Sequence, residues 1–318
     1  MMDKSTKYVL RKIGIDVLCL LILGLGPLYC LKYGTPYPRG FFCDDESIKH
    51  PFIESTVGNE LLYSIGIAMP ICGMLLGEYF HAKLLNKQSS LVLFGHKIAP
   101  WIPMAYNKIG LFAFGALISV FLTDTAKYSI GRLRPHFIDV CRPNISCDNN
   151  NSFEFQHKYH VNFVCTNNIG DYEHRWKDAR LSFPSGHSSF SMYVSIYFAL
   201  YLQLRVTWKG SKLLKYLLQT ICLWMAWYTA MSRVSDYKHH WSDVLAGMLL
   251  GSIVSLINAF CIADIFKERR INKIGTTDLD KIKTVDYDIE PGMQNESSPL
   301  RHVSPTYGGI ALDDHHDE

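Results

Sequence analysis

The sequence predicts an all-α polytopic membrane protein with six transmembrane helices. It contains six long apolar runs, the runs carry few charges, and Lys and Arg residues cluster beside them. A helix rises about 1.5 Å per residue, so runs of about 17 to 25 residues match a hydrocarbon core about 30 Å thick. A helix on the surface of a soluble protein would carry charges along one side. The formal charge of +3 and the 48% hydrophobic residues do not by themselves separate these classes.

The six predicted spans form a membrane domain over residues 13–266. In chain order they are centred on Ile13–Tyr29, Leu61–Phe80, Ile109–Thr125, Ser189–Leu204, Leu213–Met231 and Val244–Ile265. The first is too long, and too poorly flanked by small residues, to be a cleaved signal peptide, so we expect it to be retained. The fourth is the least apolar, because Ser191, Ser195 and Gln203 interrupt it.

Positive charges in the short flanking segments predict cytoplasmic termini, because Lys and Arg are retained on that side. The clusters are Lys4, Lys7, Arg11 and Lys12; Lys83, Lys87, Lys97 and Lys108; Arg205, Lys209, Lys212 and Lys215; and Lys267, Arg269, Arg270 and Lys273. Residues 1–12 are then a cytoplasmic N-terminus, and the loop 126–188 is exoplasmic. Residues 267–318 are predicted to be a disordered cytoplasmic tail, since they cannot bury enough apolar area to offset chain ordering.

Sequons and cysteines agree with an exoplasmic location for the long loop. Asn144 and Asn150 begin Asn-x-Ser sequons and are predicted glycosylation sites. Four of the nine cysteines lie in predicted exoplasmic loops, where disulfides can form: Cys43, Cys141, Cys147 and Cys165. Their pairing cannot be read from the sequence. No Cys-x-x-Cys pair or metal-ligand cluster occurs, so no metal is predicted.

Three polar strings adjoin the apolar runs on this same side. In the first, Lys127 and Arg134 are seven residues apart, so a continuing helix would place them on one face until Pro135 ended it. Arg offers a planar fork of donors for phosphate oxygens, and Lys offers a compact charge. The simpler alternative is a pair of cations that extend from the end of a span toward water.

The second string, Pro184-Ser185-Gly186-His187, directly precedes the fourth span. At a helix start, Ser185 and Gly186 would present a hydroxyl and unpaired backbone N–H groups to an anion. His187 would lie within reach of a group held there. The simpler alternative is a helix cap followed by an incidental histidine.

The third string contains Arg233, His239 and Asp243. His239 and Asp243 are four apart, so on a helix the carboxylate would accept a proton from one imidazole nitrogen and leave the other free to attack phosphorus. The alternative is an ordinary surface His–Asp pair. His240 is a rival nucleophile, but Val244 occupies the position four residues after it, so His239 is favoured.

Together the strings supply three fixed cations, two imidazoles and a carboxylate, the groups needed to bind and cleave a phosphate monoester. Neutral His239 would attack while the His187 imidazolium protonates the leaving oxygen. Water would then hydrolyse the phosphoenzyme with His187 as the base. Cations in place of a carboxylate cluster predict a reaction that needs no Mg²⁺ and no other cofactor.

These strings, in this order and spacing, resemble the signature of the type-2 phosphatidate phosphatase superfamily, in its lipid phosphate phosphatase branch. The resemblance covers roughly residues 8–266 and includes Arg39-Gly40-Phe41-Phe42-Cys43. It implies that His239 forms a phosphohistidine, that Asp243 orients His239, and that His187 protonates the leaving alkoxide. It implies phosphate binding by five further residues: Lys127, Arg134, Ser185, Gly186 and Arg233.

The resemblance also implies the substrates, namely phosphatidate, lysophosphatidate, sphingosine 1-phosphate and ceramide 1-phosphate, cleaved at the extracellular or lumenal face. The expected partners are these substrates and membrane lipids, with no nucleic acid; a homo-oligomer is expected from family analogy alone. The plasma membrane and endomembranes both stay open. Two other functions are a lipid phosphotransferase and a non-enzymatic transporter or receptor. Charges at the ends of spans, instead of mid-bilayer, disfavour the transporter.

Overall fold

The computed structural model describes residues 4–84, 91–147, 153–167, 172–205 and 212–262. Within these ranges the chain is mostly helical, as predicted. The predicted glycosylation site Asn150 and the predicted tail 267–318 lie outside the described residues.

The helices, in chain order, are α1 Lys4–Tyr33, α2 Asn59–Leu84, α3 Trp101–Ile130, α4 Phe137–Cys141, α5 Phe153–Gln156, α6 Tyr172–Asp178, α7 Gly186–Arg205, α8 Lys212–Ser235 and α9 Trp241–Ile257, which continues as a π-helical turn over Asn258–Ile262. A 3₁₀ turn covers Glu46–Ile48. The strands are β1 Phe41–Phe42, β2 Val92–Leu93, β3 His96–Lys97 and β4 Tyr159–His160. Each of the six long helices in the described ranges overlaps one of the predicted apolar runs.

Four helices in the described ranges are long and apolar enough to cross a membrane: Thr6–Tyr33, Asn59–Leu84, Trp101–Ile130 and Trp241–Ile262. They correspond to the first, second, third and sixth predicted spans. The fourth and fifth predicted spans are the helices α7 and α8, which are less apolar. For α7 the reason is its position, since most of its side chains are buried. A helix enclosed by protein can carry serines that a lipid-facing helix could not.

α7 is the central helix, and α2, α3, α8 and α9 all pack against it. α1 packs against α3. Glycines bring α9 very close to the start of α7: a side chain at Gly247 would collide with the carbonyl of Ser185, and one at Gly251 with that of Ser189. This close approach places the start of α9 beside the start of α7, where the polar strings meet.

The described residues of segments 34–58 and 131–185 form a cap of loops and short helices over this end of the bundle. β1 pairs antiparallel with β4, with Phe41 opposite His160. Disulfides join Cys43 to Cys147 and Cys141 to Cys165. These are the four cysteines predicted to be exoplasmic, and the structure supplies the pairing that the sequence left open. An apolar cluster that includes Phe41 and both disulfides forms the core of the cap.

The predicted continuation of the third helix through Arg134 is wrong. α3 ends at Ile130, and Gly131 follows with φ +59°, donating its N–H to the Lys127 carbonyl at 3.0 Å. Glycine ends helices in this left-handed conformation because it has no side chain to clash. Arg134 therefore lies in the cap. The predicted loop 126–188 also overlaps α3 at its start and α7 at its end.

Candidate active site

A polar cavity of ≈ 460 Å³ lies where the ends of α3, α7 and α8 meet the cap. It brings together five of the predicted site residues: Lys127, Arg134, His187, Arg233 and His239. Two further cations, Arg175 and Lys238, and two carboxylates, Asp124 and Asp178, also line it. Because cations outnumber carboxylates, the cavity favours a dianion such as a phosphate monoester.

The predicted cations reach this cavity from three different elements. Lys127 lies in the last turn of α3, and Arg233 lies in the last turn of α8. Arg134 is held in the cap because its backbone N–H donates to the Ala179 carbonyl at 2.9 Å. Residues far apart in the chain thus converge on one point.

Arg233 is fixed in place by a buried carboxylate. Its Nη2 donates to Asp236 Oδ2 at 2.9 Å, and the residue as a whole is only 1% exposed. Asp236 also accepts hydrogen bonds from the backbone N–H and the hydroxyl of Thr56, at 2.8 and 2.7 Å. Arg233 Nη1 lies 3.5 Å from His187 Nε2. The arginine is therefore preorganised next to the histidine.

His187 lies in the first turn of α7, with Nε2 3.1 Å from the Val57 carbonyl oxygen. A carbonyl only accepts, so Nε2 carries a hydrogen in this arrangement. That hydrogen points at the Val57 carbonyl, and the ring lies beside the Arg233 guanidinium. Donation to a bound ester therefore requires Nε2 to leave the Val57 carbonyl.

His239 is buried with one ring nitrogen committed to the backbone. Its Nδ1 lies 2.7 Å from the Ser182 carbonyl oxygen, so Nδ1 carries the hydrogen and Nε2 keeps its lone pair. Burial, reinforced by the charge of Arg134, lowers the pKa of His239 to about 3. The ring is thus neutral near pH 7, the form in which an imidazole is a nucleophile.

Asp243 does not bond directly to His239. Its Oδ2 lies 3.8 Å from His239 Nδ1, beyond hydrogen-bond distance. The helical i, i+4 relationship predicted for this pair does not apply, because α9 begins at Trp241 and His240 before it has an extended backbone. Asp243 acts on His239 indirectly, through Ser182. Its Oδ2 accepts a hydrogen bond from the Ser182 hydroxyl at 2.5 Å.

Arg132 completes the support of Asp243. Its Nη1 donates to Asp243 Oδ1 at 2.5 Å and to the Ser242 hydroxyl at 2.8 Å. The backbone N–H of His240 donates to Oδ2 at 3.0 Å. Asp243 is fully buried, so these donors offset the cost of removing its charge from water. The result is a rigid frame behind the His239 ring.

The prediction that His240 lacks an acidic partner is wrong. His240 Nδ1 lies 3.2 Å from Asp243 Oδ2, because Asp243 is three residues later at a helix start. His240 nevertheless lines a separate cavity with Arg39 and Arg132, and it is not among the residues that line the cation-rich cavity. His239 is favoured over His240 as the nucleophile because it lines the cation-rich cavity, and not because of its acidic neighbour.

Ser185 and Gly186 differ from the other predicted phosphate ligands. The Ser185 hydroxyl is fully buried and accepts hydrogen bonds from the N–H and hydroxyl of Ser188, at 3.4 and 3.0 Å. It caps α7 and is not among the residues that line the cavity. Gly186 lies beside Lys127, since a Cβ there would be 3.1 Å from Nζ. Phosphate binding by Ser185 and Gly186 stays a prediction.

Several functional candidates were missed at the sequence level. Asp236 follows Arg233 by three residues, a spacing that favours an ion pair and could have been noticed. Arg132 lies between Lys127 and Arg134 in the chain, and Lys238 directly precedes His239. Ser182 had no sequence signal, because its carbonyl becomes important only when the cap folds over His239.

Asp178, in the cap, was also missed, as were Asp124 and Arg175. The Oδ1 atom of Asp178 lies 2.5 Å from Arg134 Nη2. Burial disfavours the charged form of Asp178, but Arg134 and then Lys127 hold its pKa below the usual value. The Asp178 carboxylate is therefore ionised and bonded to Arg134, which is one of the predicted phosphate ligands.

Comparisons with known proteins place these residues in a family context. The profile of the PAP2 superfamily matches residues 108–267, about half of the chain. A Drosophila melanogaster protein named "Putative phosphatidate phosphatase" is 48% identical over 275 residues, which cover 83% of this chain and 72% of that protein. Rat phospholipid phosphatase 1 is 43% identical, covering 81% and 87%, and human phospholipid phosphatase 2 is 40% identical, covering 80% and 84%. No solved structure matches.

Proposed function

This chain belongs to the PAP2 superfamily and is a membrane lipid phosphatase, and we propose that it hydrolyses lipid phosphate monoesters through a covalent phosphohistidine at His239. The observation that carries the proposal is the geometry of His239. Its Nδ1 is bound to a carbonyl, which leaves Nε2 as a free nucleophile in a cation-rich cavity. Such an oriented, neutral imidazole is suited to attack on phosphorus.

In the first step, His239 Nε2 attacks phosphorus in line with the ester oxygen of the lipid. The new N–P bond forms as the P–O bond to the lipid breaks, and His187, as its imidazolium, donates a proton to the departing alkoxide. Burial, and then the charge of Arg233, lowers the pKa of His187 to about 3, so we propose that His187 takes up this proton as the dianionic substrate binds. Lys127, Arg134 and Arg233 neutralise the phosphoryl oxygens as charge is redistributed. The lipid alcohol leaves, and the phosphoryl group stays on the enzyme.

In the second step, a water molecule attacks the phosphohistidine. His187, now without the proton it gave away, removes one from the water. The N–P bond breaks, inorganic phosphate leaves, and His239 returns to its neutral form. The Ser182 carbonyl holds Nδ1–H throughout, so the ring does not need to reorient between steps.

The proposed substrates are phosphatidate, lysophosphatidate, sphingosine 1-phosphate and ceramide 1-phosphate. The names of the relatives, phosphatidate phosphatase and phospholipid phosphatase, support this class. The cavity supports it too, because Leu28 and Leu31 of α1 line it together with the cations. A ligand with a charged head and an apolar body matches such a lining.

We propose that turnover needs no metal ion, since Lys127, Arg134 and Arg233 supply the positive charge that Mg²⁺ supplies elsewhere. Full activity in a chelator is the expected result. Activity that disappears in the chelator and returns on adding Mg²⁺ would contradict this part of the proposal.

The proposed topology has six spans, cytoplasmic termini and an extracellular or lumenal active site, with a homo-oligomer as the expected assembly. The disulfides Cys43–Cys147 and Cys141–Cys165 support this side, because they belong to the cap that covers the cavity. Asn144 is exposed on the same cap. An Asn144→Gln variant that loses a glycosidase-sensitive mass would agree, and one with unchanged glycosylation would count against Asn144 as an acceptor.

The direct test is phosphate release from a panel of lipid phosphates added to intact cells. His239→Ala should lower the rate by about 10³-fold or more, because it removes the nucleophile. The matched control is His240→Ala, which changes the adjacent histidine outside the cavity and should stay within about tenfold of wild type. Undiminished activity of His239→Ala at the membrane would overturn the assignment.

A further inference from the structure

We propose that an apolar groove between α2, α7 and α8 holds one acyl chain of the lipid phosphate while its phosphate occupies the catalytic cavity. This inference rests on the proposed function and adds a second binding region to it. The groove has a volume of ≈ 180 Å³ and is lined almost entirely by carbon.

One face of each helix forms the groove. Its floor is a buried stripe of α7, and its walls are partly exposed stripes of α2 and α8. The lining includes Ser191 and Val194 on α7, Ile65 and Gly66 on α2, and Trp224 and Thr229 on α8. The groove is therefore built into the bundle and is open at its side.

The floor continues directly from a catalytic residue. His187 lines the catalytic cavity, while Ser191 and Val194, four and seven residues later, line the groove. Residues at these spacings share one face of a helix. The face of α7 that carries His187 thus becomes the groove floor one turn further along.

The walls show the same continuity. On α8, Arg233 lines the catalytic cavity, and Thr229, four residues earlier, lines the groove. On α2, Tyr63 lines the cavity, and Leu62 and Gly66 line the groove. Three helices that supply the charged site therefore pass directly into the apolar groove.

The loop before α2 joins the two regions. Val57 lines the groove, and its carbonyl oxygen lies 3.1 Å from His187 Nε2. A phosphate ester bound beside His187 is thus one residue away from the upper end of the groove. Leu61 to Met69 then extend it by about 12 Å along α2 at the usual helical rise.

An acyl chain fits this groove better than a polar ligand. The Ser191 hydroxyl in its floor already donates to the Ser188 carbonyl at 3.3 Å. A peptide or sugar would leave its own polar groups without partners there, which disfavours binding. The rims are apolar and exposed, with Ile65 at 45% and Trp224 at 61%. A chain can therefore enter from the bilayer without passing through water.

The chain offers a matched pair of variants for a test. Ile65 and Ile67 are neighbours on α2 and are both 45% exposed, but only Ile65 lines the groove. Ile65→Trp should fill the groove, and Ile67→Trp should not. The readout is kcat/KM for dioleoyl phosphatidate divided by kcat/KM for dihexanoyl phosphatidate, both in mixed micelles.

Ile65→Trp should lower this ratio about fivefold or more, because the long chain loses its place, while Ile67→Trp should leave it within about twofold. Activity on the short-chain substrate serves as the check on folding. An unchanged ratio for Ile65→Trp, or an equal fall for both variants, would overturn the proposal.

A second pair covers the other wall. Trp224 lines the groove, and Trp227, 56% exposed on the same helix, does not. Trp224→Ala should lower the ratio about threefold or more and Trp227→Ala should not. If Ile65→Trp fails to fold, the Trp224 and Trp227 variants provide the test. Equal substrate ratios for Trp224→Ala and Trp227→Ala would then overturn the proposal that the groove binds an acyl chain. Failure of the proposed function would look different, because wild type would then release no phosphate from either lipid.

Discussion

The carbonyl oxygen of Ser182 lies 2.7 Å from Nδ1 of His239, closer than the carboxylate of Asp243 at 3.8 Å. The backbone of the cap, and not an acidic side chain, therefore sets which ring nitrogen carries the hydrogen. Asp243 contributes indirectly, through its 2.5 Å hydrogen bond from the Ser182 hydroxyl. The orientation of His239 therefore depends directly on the Ser182 carbonyl and indirectly on the Asp243 carboxylate.

Asp243→Asn should therefore lower kcat without abolishing it. Where a carboxylate itself holds a catalytic imidazole, the amide substitution costs about 10⁴-fold. Here Ser182 retains the ring, so we expect a loss on the order of 10²-fold. Single-turnover kinetics should still detect the phosphoenzyme. A loss as large as that of His239→Ala would mean that Asp243 has a more direct role.

Arg132→Ala should destabilise the protein. Its guanidinium is bonded to Asp243, which is fully buried, and removing one partner of a buried ion pair costs about 3 kcal/mol. Thermal unfolding in detergent should show a clearly lower Tm than wild type. Lys158→Ala, at an exposed site of the cap, is the control and should leave Tm unchanged. Equal values of Tm for both variants would show that Asp243 does not depend on Arg132.

Asp178→Asn should tighten the binding of inorganic phosphate. The Asp178 carboxylate lies 2.5 Å from Arg134 Nη2, so a phosphate must compete with it for that donor. Removal of the negative charge should lower the inhibition constant of phosphate about five- to tenfold, equivalent to about 1 kcal/mol. Asp44→Asn, an exposed carboxylate of the cap, should have no effect. Weaker inhibition in Asp178→Asn would indicate that Asp178 positions Arg134 for phosphate.

Lys238 should give the enzyme an alkaline limit. Burial, together with the charge of Arg134, lowers the pKa of Lys238 to about 8. The ammonium is charged below that pH and neutral above it, so the cavity loses a cation as pH rises from 7 to 9. A phosphate monoester has its second pKa near about 6 and stays a dianion over this range. We therefore expect kcat/KM to fall.

The matched variant is Lys238→Arg, which keeps its charge at these pH values. The Lys238 ammonium lies 3.5 Å from the centre of the Phe52 ring, a contact that a guanidinium can also make. The decline in kcat/KM between pH 7 and 9 should be largely absent in Lys238→Arg. An identical decline in both proteins would assign the alkaline limit to another group.

The length of the apolar runs located the long helices well, because apolar length and flanking charge determine where a chain can cross a membrane. The convergence of Lys127, Arg134 and Arg233 followed from their types and their position beside apolar runs. The element that carries Arg134 could not be predicted in the same way. The left-handed Gly131 ends α3 early, so Arg134 reaches the cavity from the cap.

Features that depend on long-range packing were beyond the sequence. Ser182 is 57 residues from His239, and nothing local indicates that its carbonyl will accept Nδ1–H. The low apolarity of α7 became intelligible only when its neighbours were seen to surround it. The reasoning about His240 failed for a similar reason, since it assumed helical geometry where the chain is extended.

The most direct measurement is to quench the enzyme rapidly during turnover of a phosphate-labelled lipid and to locate the label by mass spectrometry. We expect phosphate on Nε2 of His239, absent from His239→Ala and present in His240→Ala. Label on His240 or on any other residue, or wild-type turnover with no covalent phosphate on the time scale of one cycle, would contradict this expectation.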